Sequence, residues 1–238
     1  LRSLDAQSFT QDPINMTATN TNGYSPTVTV LPQTKYLVSL MTVIRDAQTG
    51  CPAFVNAFEK VCTQLMPAAL ELLPTESRDV TTPTGTVFSG LSHFQPICGV
   101  SILRAGASME NSLRNSYLGP LSYGKILIQR DEETSLPHFV YCKLPKDLAN
   151  KKVLILEPML ATGGSAAKAI EVLKDNGVQE SNIIFVNLVA SRKGLDVVTK
   201  KFPAMQIVTA AVDEDLTASN HIAPGLGDFG DRFYGTTD

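Results

Sequence analysis

The chain has 238 residues, 43% of them hydrophobic, which is enough for one large domain or two small ones with a full core. Its net charge of −3 argues against a general attraction to nucleic acid or to an anionic membrane, and no apolar run is long enough to cross a bilayer. The four cysteines lie far apart and the N-terminus lacks a signal core, so reduced thiols and a cytoplasmic location are predicted.

Segments with apolar residues at helical spacing alternate along the chain with short runs of β-prone apolar residues. Residues 1–27 are polar and are predicted to form a flexible extension, followed by a single domain at 28–238. Predicted strands lie at 28–31, 97–103, 124–129, 139–144, 153–156, 183–190 and 206–212, with a strand pair or arm at 80–88. Predicted helices lie at 33–46, 53–72, 108–115, 166–174 and 194–200. This alternation predicts an α/β fold, with a parallel sheet flanked by helices and a projecting arm at 126–144.

Five local expectations are more specific. Pro67 is expected to kink or split the second helix, and Ser108 to lie in the cap region of the third. The glycine-rich tail at 224–232 is expected to form no regular element. The acids Asp213–Asp215 are interpreted as a solvated strand end rather than a metal site, and the three histidines have no ligand spacing.

The stretch from Lys152 to Ala166 has the order strand, acid, small turn and helix start. A turn containing Gly163 and Gly164 lets backbone N–H groups approach a ligand closely, and the following helix N-terminus favours an anion. Glu157, before the turn, is placed to accept hydrogen bonds from ribose hydroxyls. The spacings of the common nucleotide-triphosphate loop and of the dinucleotide fingerprint are both absent. The stretch therefore predicts a phosphate site with a neighbouring sugar.

Two arginines and a second glycine loop are predicted to share this crevice. Arg104 and Arg130 follow predicted strands, at the sheet edge where α/β proteins bind their ligands. A planar guanidinium binds phosphate oxygens bidentately, so both are candidates for holding a pyrophosphate. The loop at 225–230 would present backbone N–H and C=O groups to a planar heterocycle.

Five motifs, in order and spacing, give the sequence a specific resemblance to the uracil phosphoribosyltransferases. They are Ile102-Leu-Arg-Ala-Gly106, Ile128-Gln-Arg-Asp-Glu-Glu-Thr134, Glu157-Pro-Met-Leu-Ala-Thr-Gly-Gly-Ser165, Ala210-Ala-Val-Asp213 and Pro224-Gly-Leu-Gly-Asp-Phe-Gly-Asp-Arg232. With weaker similarity from about Val30, the resemblance covers nearly the whole chain beyond residue 27. Most other phosphoribosyltransferases carry two adjacent acids before the glycine turn, whereas Pro158 takes the second place here, as in the uracil family.

The resemblance implies the type I phosphoribosyltransferase fold, with a small hood and a projecting β-arm. It implies synthesis of UMP and pyrophosphate from uracil and phosphoribosyl pyrophosphate, with Mg²⁺ as the cofactor, held mainly by that substrate and by water. It also implies a homodimer or homotetramer, and GTP is an effector of some relatives. No nucleic-acid or membrane partner is implied.

Carried over by position, the resemblance implies two overlapping sets of site residues. Those for phosphoribosyl pyrophosphate are Arg104, Arg130, Glu157, Pro158, Met159, Leu160, Ala161, Thr162, Gly163, Gly164, Ser165 and Asp228. Those for uracil, chiefly through backbone groups, are Ile222, Gly227, Asp228 and Phe229. The implied catalytic residues are Asp228, as acceptor of the uracil proton, and Arg130. An arm at 131–144 would close over the site.

One residue departs from the family pattern. Glu157 stands where the family normally has Asp, and its additional methylene extends the carboxylate by ~1.5 Å. This departure leaves open a different function, that of a catalytically weakened or inactive member that senses nucleotides. A phosphoribosyltransferase for a purine or orotate also stays open, although the tail motif disfavours it. The chain is also compatible with one domain of a longer protein fused to a uridine kinase.

Overall fold

The structure is a computed structural model that describes residues 23–130 and 137–236. The strands are β1 (Val28–Val30), β2 (Glu76–Thr81), β3 (Val87–Ser92), β4 (Ile97–Leu103), β5 (Leu121–Arg130), β6 (Pro137–Lys143), β7 (Lys152–Leu156), β8 (Met159–Leu160), β9 (Ile183–Ser191), β10 (Gln206–Asp213), β11 (Asp215–Leu216) and β12 (Ile222–Ala223). The helices are α1 (Lys35–Arg45), α2 (Cys51–Leu70), α3 (Glu110–Ser116), α4 (Gly164–Asp175), α5 (Arg192–Lys201) and α6 (Phe229–Tyr234). Most of the predicted extension, residues 1–22, lies outside the described residues.

A mostly parallel sheet forms the centre of the fold. Its strand order is β1-β10-β9-β7-β4-β5-β6, with β8 also paired to β9, and β6 runs antiparallel to β5. Side chains of β7 alternate between the two faces: Val153 and Ile155 pack with α4 and α5, whereas Leu154 and Leu156 pack with α1, α2 and α3. Helices therefore cover both faces of the sheet, and the predicted parallel α/β fold is confirmed.

Two antiparallel pairs lie outside the central sheet. β2 and β3 pair from Glu76–Ser92 to Thr81–Val87, which confirms a strand pair around 80–88. β11 and β12 form a shorter pair near the C-terminus. The predicted arm at 126–144 corresponds to the β5–β6 pair, and its tip at 131–136 lies outside the described residues.

The expectation for Ser108 was wrong, and those for the tail and for Pro67 were wrong in part. Ser108 does not cap α3, which begins at Glu110 after a 3-10 turn; its hydroxyl instead donates to the Ala105 carbonyl at 2.7 Å. The tail is partly helical, since the Asp228 side chain caps α6 by accepting a hydrogen bond from the Asp231 N–H at 2.9 Å. Pro67 does not split α2, because it lies in the last turn of a continuous helix.

The four cysteines are free thiols. Burial raises the pKa of the Cys62 thiol to about 12, so this thiol stays protonated near neutral pH. Within residues 23–130 and 137–236, none of the helices has the length and apolar character that a membrane span requires.

Candidate active site

A crevice of about 370 Å³ lies at the carboxyl ends of the central strands. One part of its lining comes from the ends of β4 and β5, the segment after β7 and the start of α4, and the other part from residues 220–230. The predicted site residues among its lining are Glu157, Met159, Ala161, Ser165, Ile222, Gly227, Asp228 and Phe229. The structure thus brings together the predicted phosphate turn (residues 161–165) and the predicted base loop (residues 225–230), while the ligand roles of these residues stay predictions.

A buried polar chain holds the backbone of Glu157 where the chain leaves β7. The Glu157 N–H donates to the Val186 carbonyl at 3.2 Å, and the Asn187 side-chain amide donates to the Glu157 carbonyl at 3.0 Å. The Thr209 hydroxyl in turn donates to the Asn187 side-chain oxygen at 2.7 Å, and both side chains are fully buried. Sequence reasoning missed Asn187 and Thr209; the signal was a polar residue in each of two apolar strands.

The turn after Glu157 is shaped by two glycines and by the start of α5. Gly163 has φ +81° and is the N-cap of α4, and as a glycine it has no side chain to cap the first N–H groups of that helix. Ser191 donates its hydroxyl to the Ala161 carbonyl at 2.5 Å. A Cβ on Gly194 would lie 2.5 Å from the same carbonyl oxygen, so α5 approaches the turn as closely as a glycine permits. The geometry suits a phosphate bound by backbone N–H groups.

Some predicted residues lie behind the crevice rather than in its lining. Leu160 is 1% exposed and packs in the core between the sheet, α4 and α5, so only its backbone is near the turn. Pro158 is also buried, directly before β8. Thr162, Gly163 and Gly164 form the turn itself without lining the crevice. Any contact of Leu160 with a ligand is therefore made by its main chain.

Arg104 lies beside the crevice and is tied to α6. Its guanidinium donates to Asp231 at 2.6 Å and to the Thr236 hydroxyl at 3.1 Å, and its side chain remains 52% exposed. Hydrogen bonds from Thr236 and Arg104 hold the pKa of the Asp231 carboxyl below its usual range. A Cβ on Gly230, which lines the crevice, would lie 3.0 Å from the guanidinium. Arg130 ends β5, and its side chain lies outside the described residues.

The base loop presents its backbone to the crevice, because its largest side chain is in the core. The ring of Phe229 is 2% exposed and contacts Phe54 and Phe58 edge-on, with ring centroids 5.5 and 4.9 Å away. Gly227 has φ +83°. Within the described residues, no hydrogen bond uses the N–H of Gly227 or of Phe229. Recognition by these backbone groups is consistent with the predicted uracil contacts.

The predicted solvated strand end at Asp213–Asp215 is wrong for Asp213, the last residue of β10. Asp213 is only 7% exposed, because its side chain points inward and accepts two hydrogen bonds from Arg45. Glu214 and Asp215 are exposed as expected. In the part of the chain that the structure describes, no group of three or more His, Cys, Asp or Glu side chains is arranged to hold a metal ion.

Two lining residues, Asn220 and His221, lie outside both the five motifs and the predicted site residues, and sequence reasoning assigned no role to either. Asn220, with φ 62°, and His221 both line the crevice next to Ile222. The Nδ1 atom of His221 is 2.9 Å from the Ser219 hydroxyl. The only signal in the sequence for a place of Asn220 and His221 in the site was that they directly precede Ile222.

Comparison with known proteins identifies the family. Residues 30–236 match the profile of the uracil phosphoribosyltransferases. The chain belongs to this family. A uracil phosphoribosyltransferase from Dictyostelium discoideum is 46% identical over 215 residues, which cover 90% of this chain and 99% of that protein. The uracil phosphoribosyltransferase of Lachancea kluyveri is 49% identical over 207 residues, or 87% of this chain and 95% of that protein.

The structural comparison finds a solved protein with the same overall fold. A solved structure of a protein from Aquifex aeolicus superimposes with a TM-score of 0.77 at 30% identity, covering 88% of this chain and 99% of that one. The fold is that of a type I phosphoribosyltransferase, and the chain is an enzyme of the pentosyltransferase class. Nothing in these matches favours a nucleotide-sensing regulatory protein.

Proposed function

We propose that the crevice is the site at which this uracil phosphoribosyltransferase joins uracil to phosphoribosyl pyrophosphate, yielding UMP and pyrophosphate. The observation that carries the proposal is that the phosphate turn and the base loop, distant in sequence, line one crevice together with Glu157 and Asp228. The test is release of pyrophosphate from phosphoribosyl pyrophosphate by the purified chain, measured with and without uracil. Release only with uracil, matched by UMP, is expected. A wild-type chain that makes no UMP would contradict the proposal.

The two parts of the crevice divide the ligand between them. The first N–H groups of α4, together with Ser165, bind the 5′-phosphate, and the Glu157 carboxylate accepts hydrogen bonds from the ribose hydroxyls. The backbone of 227–229 and of Ile222 binds the uracil ring. Arg104 and Arg130 contact the pyrophosphate group. This division places the anomeric carbon of the sugar between the phosphate turn and the base loop.

The reaction is a displacement at that anomeric carbon. Uracil N1 forms the new bond, the bond from carbon to the pyrophosphate oxygen breaks, and the N1 proton passes to the Asp228 carboxylate directly or through a water molecule. The negative carboxylates of Glu157 and Asp228 stabilise the positive charge that develops on the sugar. Positive charge from Arg104 and Arg130 stabilises the departing pyrophosphate.

The donor set of the crevice fits Mg²⁺ bound mostly through the substrate. Two carboxylates, Glu157 and Asp228, are among the lining residues, and Mg²⁺ is commonly held by one or two carboxylates plus substrate phosphates and water. When bound, Mg²⁺ supplies charge stabilisation of the pyrophosphate oxygens.

A homodimeric or homotetrameric state, activation by GTP and a cytoplasmic location are further parts of the proposal, supported by the family resemblance. Sedimentation analysis and the uracil assay with and without GTP test the first two.

Shortening Glu157 to Asp is expected to lower the KM for phosphoribosyl pyrophosphate. The family resemblance implies Asp at this position, and the bond from Asn187 holds the backbone of residue 157 through its carbonyl rather than through its side chain. The carboxylate would retract by ~1.5 Å, the length of one C–C bond, toward the position that the resemblance implies. Steady-state kinetics with varied donor measure the change. An unchanged KM would show that the crevice has adapted to the longer side chain.

Replacing Arg104 by Ala is expected to raise the KM for phosphoribosyl pyrophosphate by about 10-fold or more, since a charged hydrogen bond contributes roughly 1.5–3 kcal/mol. The matched variant is Asp231→Asn, because it weakens the ion pair of Arg104 while leaving the guanidinium in place. Donor kinetics of both variants separate two roles. If Arg104 binds the donor, only Arg104→Ala raises the KM strongly; if it serves only to hold α6, the two variants behave alike.

A further inference from the structure

A largely buried ion pair holds the base loop from behind. Asp213, the last residue of β10, accepts two hydrogen bonds from the Arg45 guanidinium, at 2.7 and 2.8 Å. The same two residues bind both backbone groups of Gly225: its N–H donates to Asp213 at 2.9 Å, and its carbonyl accepts from Arg45 at 2.7 Å. One end of the base loop is therefore fixed to the ends of β10 and α1.

The backbone at this point has little freedom to adopt another shape. Gly225 has φ +59°, and a Cβ there would lie 2.0 Å from the Ile222 carbonyl oxygen, so the chain folds back on itself. The next carbonyl, of Leu226, accepts from Arg232 at 2.8 Å, and Arg232 also donates to the Ile44 carbonyl at 2.6 Å. After these anchors come Gly227 and Asp228, the first residues of the loop that line the crevice.

The ion pair lies outside the crevice lining, so its effect on the ligand must pass through the loop. Arg45 lines a separate pocket of about 580 Å³ that shares Gly227 and Asp228 with the crevice. The Asp213 side chain is 6% exposed and is satisfied by three donors, two from Arg45 and one from Gly225. If either Arg45 or Asp213 loses its charge, the other is left as an unpaired charge away from water. We therefore expect the hydrogen bonds that hold Gly225 to be lost and not only weakened.

We propose that Arg45 and Asp213 are positioning residues for the base subsite. They preset the backbone at 225–229 in the shape that receives the pyrimidine, so that uracil binding does not have to order the loop. This role rests on the proposed function and extends it. The affinity for uracil would depend on Arg45 and Asp213, although neither residue contacts uracil. Because the phosphate turn is built from β7, α4 and α5, and Asp228 is the one residue of the loop assigned to phosphoribosyl pyrophosphate, the pair affects the affinity for uracil far more than that for phosphoribosyl pyrophosphate.

The test is the substitution Asp213→Asn in the full chain. The amide keeps the shape of the side chain but replaces one acceptor by a donor that faces Arg45 or the Gly225 N–H. The KM for uracil is expected to rise about 10- to 100-fold, the range that a small misplacement of a binding group produces, while the KM for phosphoribosyl pyrophosphate stays within about twofold. Arg45→Met should have the same effect, and the double variant should be no worse than either single one.

Glu214→Gln is the matched control. It makes the same chemical change at the next residue, whose exposed side chain pairs with Arg192 at 3.4 Å, and both KM values should remain those of the wild type. If Asp213→Asn is insoluble, Arg45→Lys keeps the charge while losing the forked contact, and a raised uracil KM is again expected. Equal changes in both KM values, or none, would overturn the positioning role. An inactive wild type would instead contradict the proposed function.

Discussion

Replacing Asp228 by Asn is expected to lower kcat about 100-fold or more, the lower end of what a general base contributes. The substitution removes the proposed acceptor of the uracil proton and one of the two negative charges next to the reacting sugar. It leaves the loop intact, since an Asn side-chain oxygen still accepts the hydrogen bond from the Asp231 N–H that begins α6. The measurement is kcat for UMP formation at saturating substrates, together with the midpoint of thermal unfolding.

A control for this variant is Asp215→Asn. Asp215 is an exposed acid on β11, in the same segment of the chain but outside the crevice lining, so kcat should not change. A kcat for Asp228→Asn within about threefold of the wild type would rule out proton acceptance by Asp228, because a lost general base costs far more. An unfolding midpoint equal to that of the wild type would show that the loss is chemical.

The substitution Gly194→Ala is expected to raise the KM for phosphoribosyl pyrophosphate about 10- to 100-fold, although Gly194 is not among the lining residues. The new Cβ would lie 2.5 Å from the Ala161 oxygen and 2.8 Å from the Leu160 oxygen, and both are backbone atoms. The phosphate turn must therefore move, and the overpacking should also destabilise the fold by about 1–3 kcal/mol. Donor kinetics and denaturant unfolding measure the two effects.

Gly50→Ala provides the comparison, because a Cβ at Gly50 has open space around it and the backbone φ is −70°. It should leave the donor KM unchanged. If Gly194→Ala binds the donor as tightly as the wild type, the turn at 161–165 is not the phosphate site. The alternative, a phosphate site that tolerates movement of the turn, is disfavoured by the close packing of α5 against it.

Together, these variants are expected to distinguish a phosphate half of the crevice from a base half, because substitutions in the two halves change the KM of different substrates. Gly194→Ala and Glu157→Asp act on the half built from β7, α4 and α5, and are read in the donor KM. Asp213→Asn acts on the half built from the base loop, and is read in the uracil KM. Asp228→Asn acts on the chemistry at the junction, and is read in kcat.

The sequence by itself determined those features that are encoded within a short stretch of chain. The alternation of apolar runs predicted the parallel sheet and its helices, and the residues at 152–166 predicted a strand, a glycine turn and a helix in that order, because both depend on neighbouring residues. That this turn binds a phosphate stays a prediction. The local predictions were wrong where the residues adjacent in sequence do not determine the secondary structure. The residues near Ser108 favour a cap, but a 3-10 turn precedes the helix; the glycines of the tail favour an irregular segment, but Asp228 caps a helix there.

Only the tertiary structure decided how the base loop is held. Asp213 and Arg45 are 168 positions apart, and no periodicity or spacing connects them; a charged residue at a strand end more often faces water. The pairing of Asn187 with Glu157, 30 positions away, depends likewise on strands β7 and β9 lying side by side. Such contacts depend on how elements pack, because a side chain's partner is set by the distance between atoms in space and not by separation along the chain.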